Sequence, residues 1–163
     1  MTLDDLNDLD AVAAREAFRL CCGSLRWAAA MAASRPFQSL DAIRRRGDGI
    51  WTSLDRADWL EAFAAHPKIG EQRRVTAWSA AEQSGMSSAG DGTKERLAAL
   101  NESYEARFGY IFIVCATGKP ASEMLALLVE RLAHDPDTEL AIAAGEQRKI
   151  TALRLAKLVD AHQ

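Results

Sequence analysis

One run of the sequence, YIFIVCA at residues 110–116, has the continuous apolar character of a buried strand. A strand must pair its backbone with a second strand, and no other run of this kind is present in the 163 residues. The other apolar residues recur mainly at helical spacing, between residues that start or stop helices. The sequence therefore predicts an all-α fold, a compact single-domain bundle of about seven or eight helices in which this run is a buried extended connector.

Three helical runs are predicted in the first part of the sequence. Asp10 and Ser24 are good N-caps before the first two runs, and a third run starts from Ser39. The second run must end before Arg35-Pro36, because proline removes a helical hydrogen bond and restricts the preceding residue. In the third run, Gly47 and Gly49 weaken the prediction of where the helix ends.

The later helices are bounded in the same way. In ADWLEAFAAH, residues 57–66, the apolar face includes His66, and Pro67 ends the helix. Residues 77–84 predict one or two helical turns. Three longer helices follow: one capped by Thr93 and stopped by Gly109, one with Pro120 at its first position, and one from Thr138 to His162.

Composition limits the possible partners. The length favours one domain, residues 1–163, and the 20 basic and 23 acidic residues give a net charge of -3 without a dense basic surface for nucleic acid. The chain has no membrane-length apolar run and begins with an acidic segment, so we expect a soluble, unprocessed, cytoplasmic bacterial protein. Cys21, Cys22 and Cys115 lack metal-site spacing and lie in apolar runs, which favours buried thiols over nucleophiles and predicts no metal.

His66 is the first candidate for chemistry. Because Pro67 ends its helix, the imidazole is expected near unpaired carbonyl groups, whose partial negative charge favours the protonated ring. Such a ring suits proton transfer near neutral pH. The alternative is a histidine that only packs in the core or caps the helix.

A polar cluster in residues 79–83, SAAEQ, is the second candidate. Ser79, Glu82 and Gln83 share one helix face, so a hydroxyl, a carboxylate and an amide could hold a polar ring together. A solvated surface helix, or a capping box made by Ser79 and Glu82, explains the same residues.

Arg154 is the third candidate. It falls inside the apolar arc of the last helix, which is defined by Leu140, Ala144, Ile150, Leu155 and Leu158. A guanidinium in such an arc needs a partner. That partner is either an anionic or carbonyl-rich ligand in a pocket, or one of the acidic residues in a partly buried salt bridge.

Four motifs together resemble one enzyme family. They are HPKIG, EQSG, LNESYEARFGYIFIVCATGKPASEML and EQRKITALRL, in this order within the stretch from about Phe18 to Leu158. The sequence is similar to 2-oxo-4-hydroxy-4-carboxy-5-ureidoimidazoline (OHCU) decarboxylase, the enzyme of urate breakdown that makes S-allantoin. The resemblance implies an all-helical fold, a homodimer, and catalysis without metal or organic cofactor.

The resemblance also implies roles for single residues. His66 would be the proton donor and Glu82 the second catalytic group, while Pro67 would line the site and Arg154 would meet the polar edge of the substrate. The implied substrate-binding segments are Ser79, Ala80, Ala81, Glu82 and Gln83, and the backbone of Phe112, Ile113, Val114, Cys115 and Ala116.

Two other functions fit the same residues. A non-catalytic helical binding module, such as a sensor or partner subunit in purine breakdown, would keep the pocket but need no proton donor. A related lyase or hydrolase could act on another ureido or imidazole compound, because a fold does not fix a substrate.

Overall fold

The computed structural model describes residues 1–67 and 91–159, and within these ranges all regular secondary structure is helical. The predicted all-α fold is confirmed there. The helices within these ranges are α1 (Leu3–Asp8), α2 (Ala11–Cys21), α3 (Leu25–Ala33), α4 (Leu40–Ser53), α5 (Arg56–Ala64), α6 (Asp91–Phe108), α7 (Ala121–Leu132) and α8 (Pro136–Leu158). The predicted turns at 77–84 lie outside the described residues.

Two compact units can be distinguished by their internal contacts. The first comprises residues 1–65 and 147–163, and the second comprises residues 66–146. The single-domain organisation expected from chain length stays a prediction.

The predicted N-caps of α2 and α3 are confirmed, and the run predicted to start from Ser39 has that residue as its N-cap. Asp10 Oδ1 accepts the amide of Ala13 at 2.8 Å. The hydroxyl of Ser24 accepts the amide of Trp27 at 3.2 Å, and that of Ser39 accepts the amide of Ala42 at 3.0 Å. Each bond satisfies one of the amide groups that a helix start leaves without an intrahelical partner.

Helix α4 continues through both of its glycines to Ser53, so the weakness expected near Gly47 and Gly49 does not end it. Tertiary packing explains the continuation. The indole Nε1 of Trp27, which is fully buried, donates to the carbonyl of Gly47 at 3.0 Å. A Cβ at position 47 would lie 3.2 Å from Cζ2 of Trp27, so the glycine allows the indole to approach the helix closely.

Several helix boundaries differ from the predictions. Helix α1 was not predicted, although Thr2 and Asp5 form a capping box at its start. Helix α6 begins at Asp91, so Thr93 lies inside the helix and is not its cap.

Pro120 is the N-cap of α7 and not its first residue. Helix α8 begins with Pro136, because Asp135 accepts the amide of Thr138 at 2.9 Å and so caps the helix two residues earlier than expected.

The second unit contains the extended connector, residues 111–116, between α6 and α7. Gly109 ends α6 as predicted, with a φ of 86° that favours glycine. The rings of Tyr104, Phe108 and Phe112 pack together, with the Tyr104 centroid 4.7 Å from Phe108 and 5.5 Å from Phe112. The connector is thus anchored to α6 by aromatic contacts.

None of the helices in residues 1–67 and 91–159 has the length and apolar character needed to cross a membrane.

Gly47 and Gly49 provide a test of the packing of Trp27 against α4. Gly49→Ala should stabilise the protein by about 0.5 to 1 kcal/mol, because alanine favours the helix and nothing lies within 4 Å of the added Cβ. Gly47→Ala gains the same propensity but presses on Trp27, so its free energy of unfolding should be lower than that of Gly49→Ala by about 1 to 3 kcal/mol. Urea unfolding measures both variants. Equal stability would show that the indole does not need the glycine.

Candidate active site

His66 and Pro67 are half-buried and follow the end of α5. The helix ends at Ala64 with Ala65 as its C-cap, so the expected helix through His66 is two residues too long. The physical reason is the proline, because the residue before a proline is disfavoured in the helical region. His66 therefore lies on irregular backbone just beyond the cap.

The predicted binding segment Ser79, Ala80, Ala81, Glu82 and Gln83 lies outside the described residues. Its roles, including that of Glu82 as the second catalytic group, stay predictions.

The connector is buried as predicted. Phe112, Ile113, Val114, Cys115 and Ala116 are each no more than 8% exposed. Neither the backbone amide of Ile113 nor that of Val114 has a hydrogen-bond acceptor among residues 1–67 and 91–159. Buried amides without acceptors are costly in a native protein, so a ligand carbonyl or ring nitrogen at this backbone would be favoured.

Side chains take the place of a neighbouring strand at the connector. The carboxylate of Glu146 accepts the amide of Cys115 at 3.2 Å, and Nζ of Lys119 donates to the carbonyl of Cys115 at 2.8 Å. Nη1 of Arg131 donates to the carbonyl of Ile113 at 2.5 Å. Three charged groups thus fix alternate residues of a segment that has no strand partner in the part of the chain that the structure describes.

Arg131 belongs to a buried ionic cluster. Its Nη2 and Nε lie 2.6 and 2.8 Å from Oε2 of Glu139, and Arg131 and Glu139 are 4% and 0% exposed. Glu139 also accepts the hydroxyl of Tyr104 and contacts Nδ1 of His134 at 3.1 Å. Burial, and next the hydrogen bond to Glu139, raise the pKa of Tyr104 well above its usual value, so its hydroxyl remains a donor.

Arg154 is buried on α8 in the first unit, as its place in the apolar arc predicted. Its Nη1 donates to the carbonyl of Leu20 at 3.5 Å. This contact is to a carbonyl and not to a carboxylate, and it leaves both predicted roles, ligand binding and salt bridge, open.

The three cysteines are free and buried, as predicted. Burial raises the pKa of Cys21 to about 12 and that of Cys22 to about 11, and the positive charge of Arg154 offsets only part of the shift. The thiols of Cys21 and Cys22 are therefore almost fully protonated at neutral pH and are poor nucleophiles. In the described part of the chain, no group of three or more His, Cys, Asp or Glu could hold a metal ion.

Comparison with known proteins identifies the family. The model of the OHCU decarboxylase family matches residues 7–156, nearly the whole sequence. The chain belongs to the OHCU decarboxylase family. The resemblance carried by the four sequence motifs is thereby confirmed.

Relatives of this OHCU decarboxylase family member differ in how much of their length the chain covers. The uric acid degradation bifunctional protein TTL of Arabidopsis thaliana is 41% identical over 152 residues, which cover 86% of this chain and 46% of that protein. The OHCU decarboxylase of Haloferax volcanii is 32% identical over 96% of this chain and 95% of its own length. The chain therefore spans less than half of the plant protein but almost all of the archaeal one.

Solved structures share the fold. A crystal structure of OHCU decarboxylase in the presence of (S)-allantoin superposes with a TM-score of 0.79 and 39% identity, covering 88% of this chain and 96% of that chain. A crystal structure of (S)-allantoin synthase superposes with a TM-score of 0.74 at 22% identity, covering 98% of this chain and 55% of that chain, which supports the fold alone.

The ionic cluster was missed by the sequence predictions. Arg131 falls three residues after Leu128 and seven after Met124, on the buried face of α7. This is the same signal, a guanidinium within an apolar stripe, that singled out Arg154. The partner Glu139 had no comparable signal, because an acid in the first turn of a helix is usually solvated.

The buried cysteines give a second prediction. In the native protein at pH 8, Cys21 and Cys22 should react with Ellman's reagent at least about 100-fold more slowly than in guanidinium chloride, because their raised pKa values leave little thiolate. The time course of thiol release measures the rates, and the unfolded chain calibrates the total of 3 cysteines. Labelling of two or more thiols in the native protein at the unfolded rate would contradict their burial.

Proposed function

We propose that this chain catalyses the cofactor-free decarboxylation of 2-oxo-4-hydroxy-4-carboxy-5-ureidoimidazoline to S-allantoin in urate breakdown. The family match over residues 7–156 carries this proposal. Further support comes from the OHCU decarboxylase crystal structure obtained in the presence of (S)-allantoin, which is 39% identical to this chain.

The substrate makes a cofactor unnecessary in this reaction. Its carboxylate is attached to a carbon that also bears a hydroxyl, beside an imine-like ring position. When the carbon–carboxylate bond breaks and carbon dioxide leaves, the bonding electrons move into the ring. One proton must then reach one face of the ring to give a single allantoin enantiomer. The protein has to orient the substrate, exclude water, stabilise developing charge and deliver that proton.

His66 is the proposed proton donor. It is half-buried on irregular backbone beside Pro67, so its ring is not constrained to the face of a helix. An imidazole titrates close to neutral pH, and a well-placed acid is worth about 10² to 10⁴ in rate. Pro67 is proposed to line the site next to the ring.

The other predicted residues bind and orient the substrate in this proposal. Glu82 accepts from the substrate hydroxyl or ring N–H and orients the imidazole, within the binding segment at residues 79–83. Arg154 meets the polar edge of the substrate with its planar set of donors. Residues 112–116 of the connector offer backbone groups to the substrate ring, and the buried amides of Ile113 and Val114 support this assignment.

The proposal also includes the oligomeric state, the cellular location and the partners of the enzyme. We expect a homodimer in the cytoplasm, acting on a small molecule without metal, nucleic acid or membrane. Light scattering on the purified chain measures the oligomeric state.

His66→Ala tests the proposed chemistry. With substrate freshly generated from urate, the wild-type chain should accelerate substrate loss, and the variant should lose about 10²-fold or more of that acceleration because the proton donor is gone. Calorimetry should still detect binding of allantoin. The matched control is His162→Ala, which removes a histidine outside the predicted site and should keep the wild-type rate.

Each outcome of this experiment has a defined meaning. A His66→Ala enzyme with wild-type turnover would refute the role of His66. A wild-type chain that binds allantoin but leaves the rate of substrate loss unchanged would refute the decarboxylase and support the binding module.

A further inference from the structure

Arg131 contacts a carboxylate, a backbone carbonyl and an aromatic ring at once. One side of its guanidinium is held by Glu139, through Nη2 at 2.6 Å and Nε at 2.8 Å, while Nη1 donates to the carbonyl of Ile113. Its planar group also lies over the ring of Phe112, with Cζ 4.5 Å from the centroid. A fork of fixed donors can hold two acceptors in a set geometry, which a single ammonium group cannot do.

The anchor of this fork is itself held in place. Glu139 is fully buried and accepts the hydroxyl of Tyr104, and its other oxygen contacts Nδ1 of His134 at 3.1 Å. The position of the Ile113 carbonyl therefore depends on a chain of contacts that runs from α6 and α8 through Arg131.

Stability alone does not account for such a cluster. Removing two charges from water costs several kcal/mol for each ion, and apolar residues of similar volume often stabilise a core as well or better. What a buried ion pair supplies is a fixed geometry. Here the geometry is fixed at the connector, where Glu146 and Lys119 also bond to Cys115 and the backbone amide of Lys119 donates to the carbonyl of Ala116.

We propose that Arg131 is a positioning residue for the decarboxylation, holding the Ile113 carbonyl so that the connector presents the adjacent backbone amides to the substrate in register. The inference rests on the proposed function of residues 112–116. Arg131 itself touches Glu139, Ile113 and Phe112 and acts on the reaction through them.

Arg131→Lys tests the inference, because lysine keeps a positive charge beside Glu139 but loses the fork. In the proposed site, the connector backbone contacts the substrate ring in the ground state and in the transition state. Displacing the connector should therefore weaken binding of the substrate and of the transition state alike. We expect KM, and the inhibition constant of allantoin, to rise about tenfold with a smaller change in kcat. A purely structural role would lower the amount of active protein and leave KM unchanged.

Arg35→Lys is the matched control. Arg35 also donates to backbone carbonyls, with Nη1 2.9 Å from the oxygen of Leu6 and 2.6 Å from that of Leu9, but these partners belong to the first unit. This variant should lower the urea midpoint of unfolding and keep the wild-type KM.

Tyr104→Phe is the second variant, for the case in which Arg131→Lys does not fold. It keeps the ring beside Phe108 and removes the hydroxyl that holds Glu139. It should raise KM in the same direction by about threefold.

The outcomes separate the inference from the proposed function. The inference is overturned if the folded Arg131→Lys protein keeps the wild-type KM and the wild-type affinity for allantoin. If only Tyr104→Phe folds, the same result in that variant overturns it. The enzyme assignment stands in both cases. A wild-type chain that shows no catalysis would overturn the proposed function before any variant is compared.

Discussion

A buried extended segment without a neighbouring strand needs other groups to satisfy its backbone, and this requirement shapes the second unit. At residues 111–116 the partners are long charged side chains from the turn and the two helices that follow. Glu146 and Lys119 bond to Cys115, and Arg131 bonds to Ile113. The amides of Ile113 and Val114 have no acceptor among residues 1–67 and 91–159, and this is the basis of the proposal that the connector binds the substrate ring.

The first unit is built by more local rules. Its helices start at side-chain caps, and its core is centred on Trp27, whose indole bonds to the backbone of α4 at Gly47. The buried guanidinium of Arg154 lies in this unit, and its charge acts on the pKa of Cys21 and Cys22 without making either thiol reactive.

The sequence predicted those features that neighbouring residues determine. Asp10 and Ser24 cap helices because the cap bond forms within three residues, and the connector was recognisable because the seven apolar residues at 110–116 have no counterpart elsewhere in the sequence. Features that depend on distant partners were not predictable. The continuation of α4 through Gly47 depends on an indole twenty residues away, and the pairing of Arg131 with Glu139 depends on how two helices meet. The restriction that Pro67 places on the backbone of His66 is local, so the end of α5 before His66 was predictable from the sequence. For the candidate site, burial of the connector and of Arg154 was predictable, while Glu82 and its neighbours lie outside the described residues.

We propose that the protein, and not water, delivers the proton that completes allantoin. Circular dichroism during the reaction of the wild-type chain with substrate freshly generated from urate tests this proposal. We expect a rapid dichroic signal of one handedness, that of S-allantoin, which grows with the amount of enzyme. A slow decay to racemic product, at the rate seen without the protein, would contradict it.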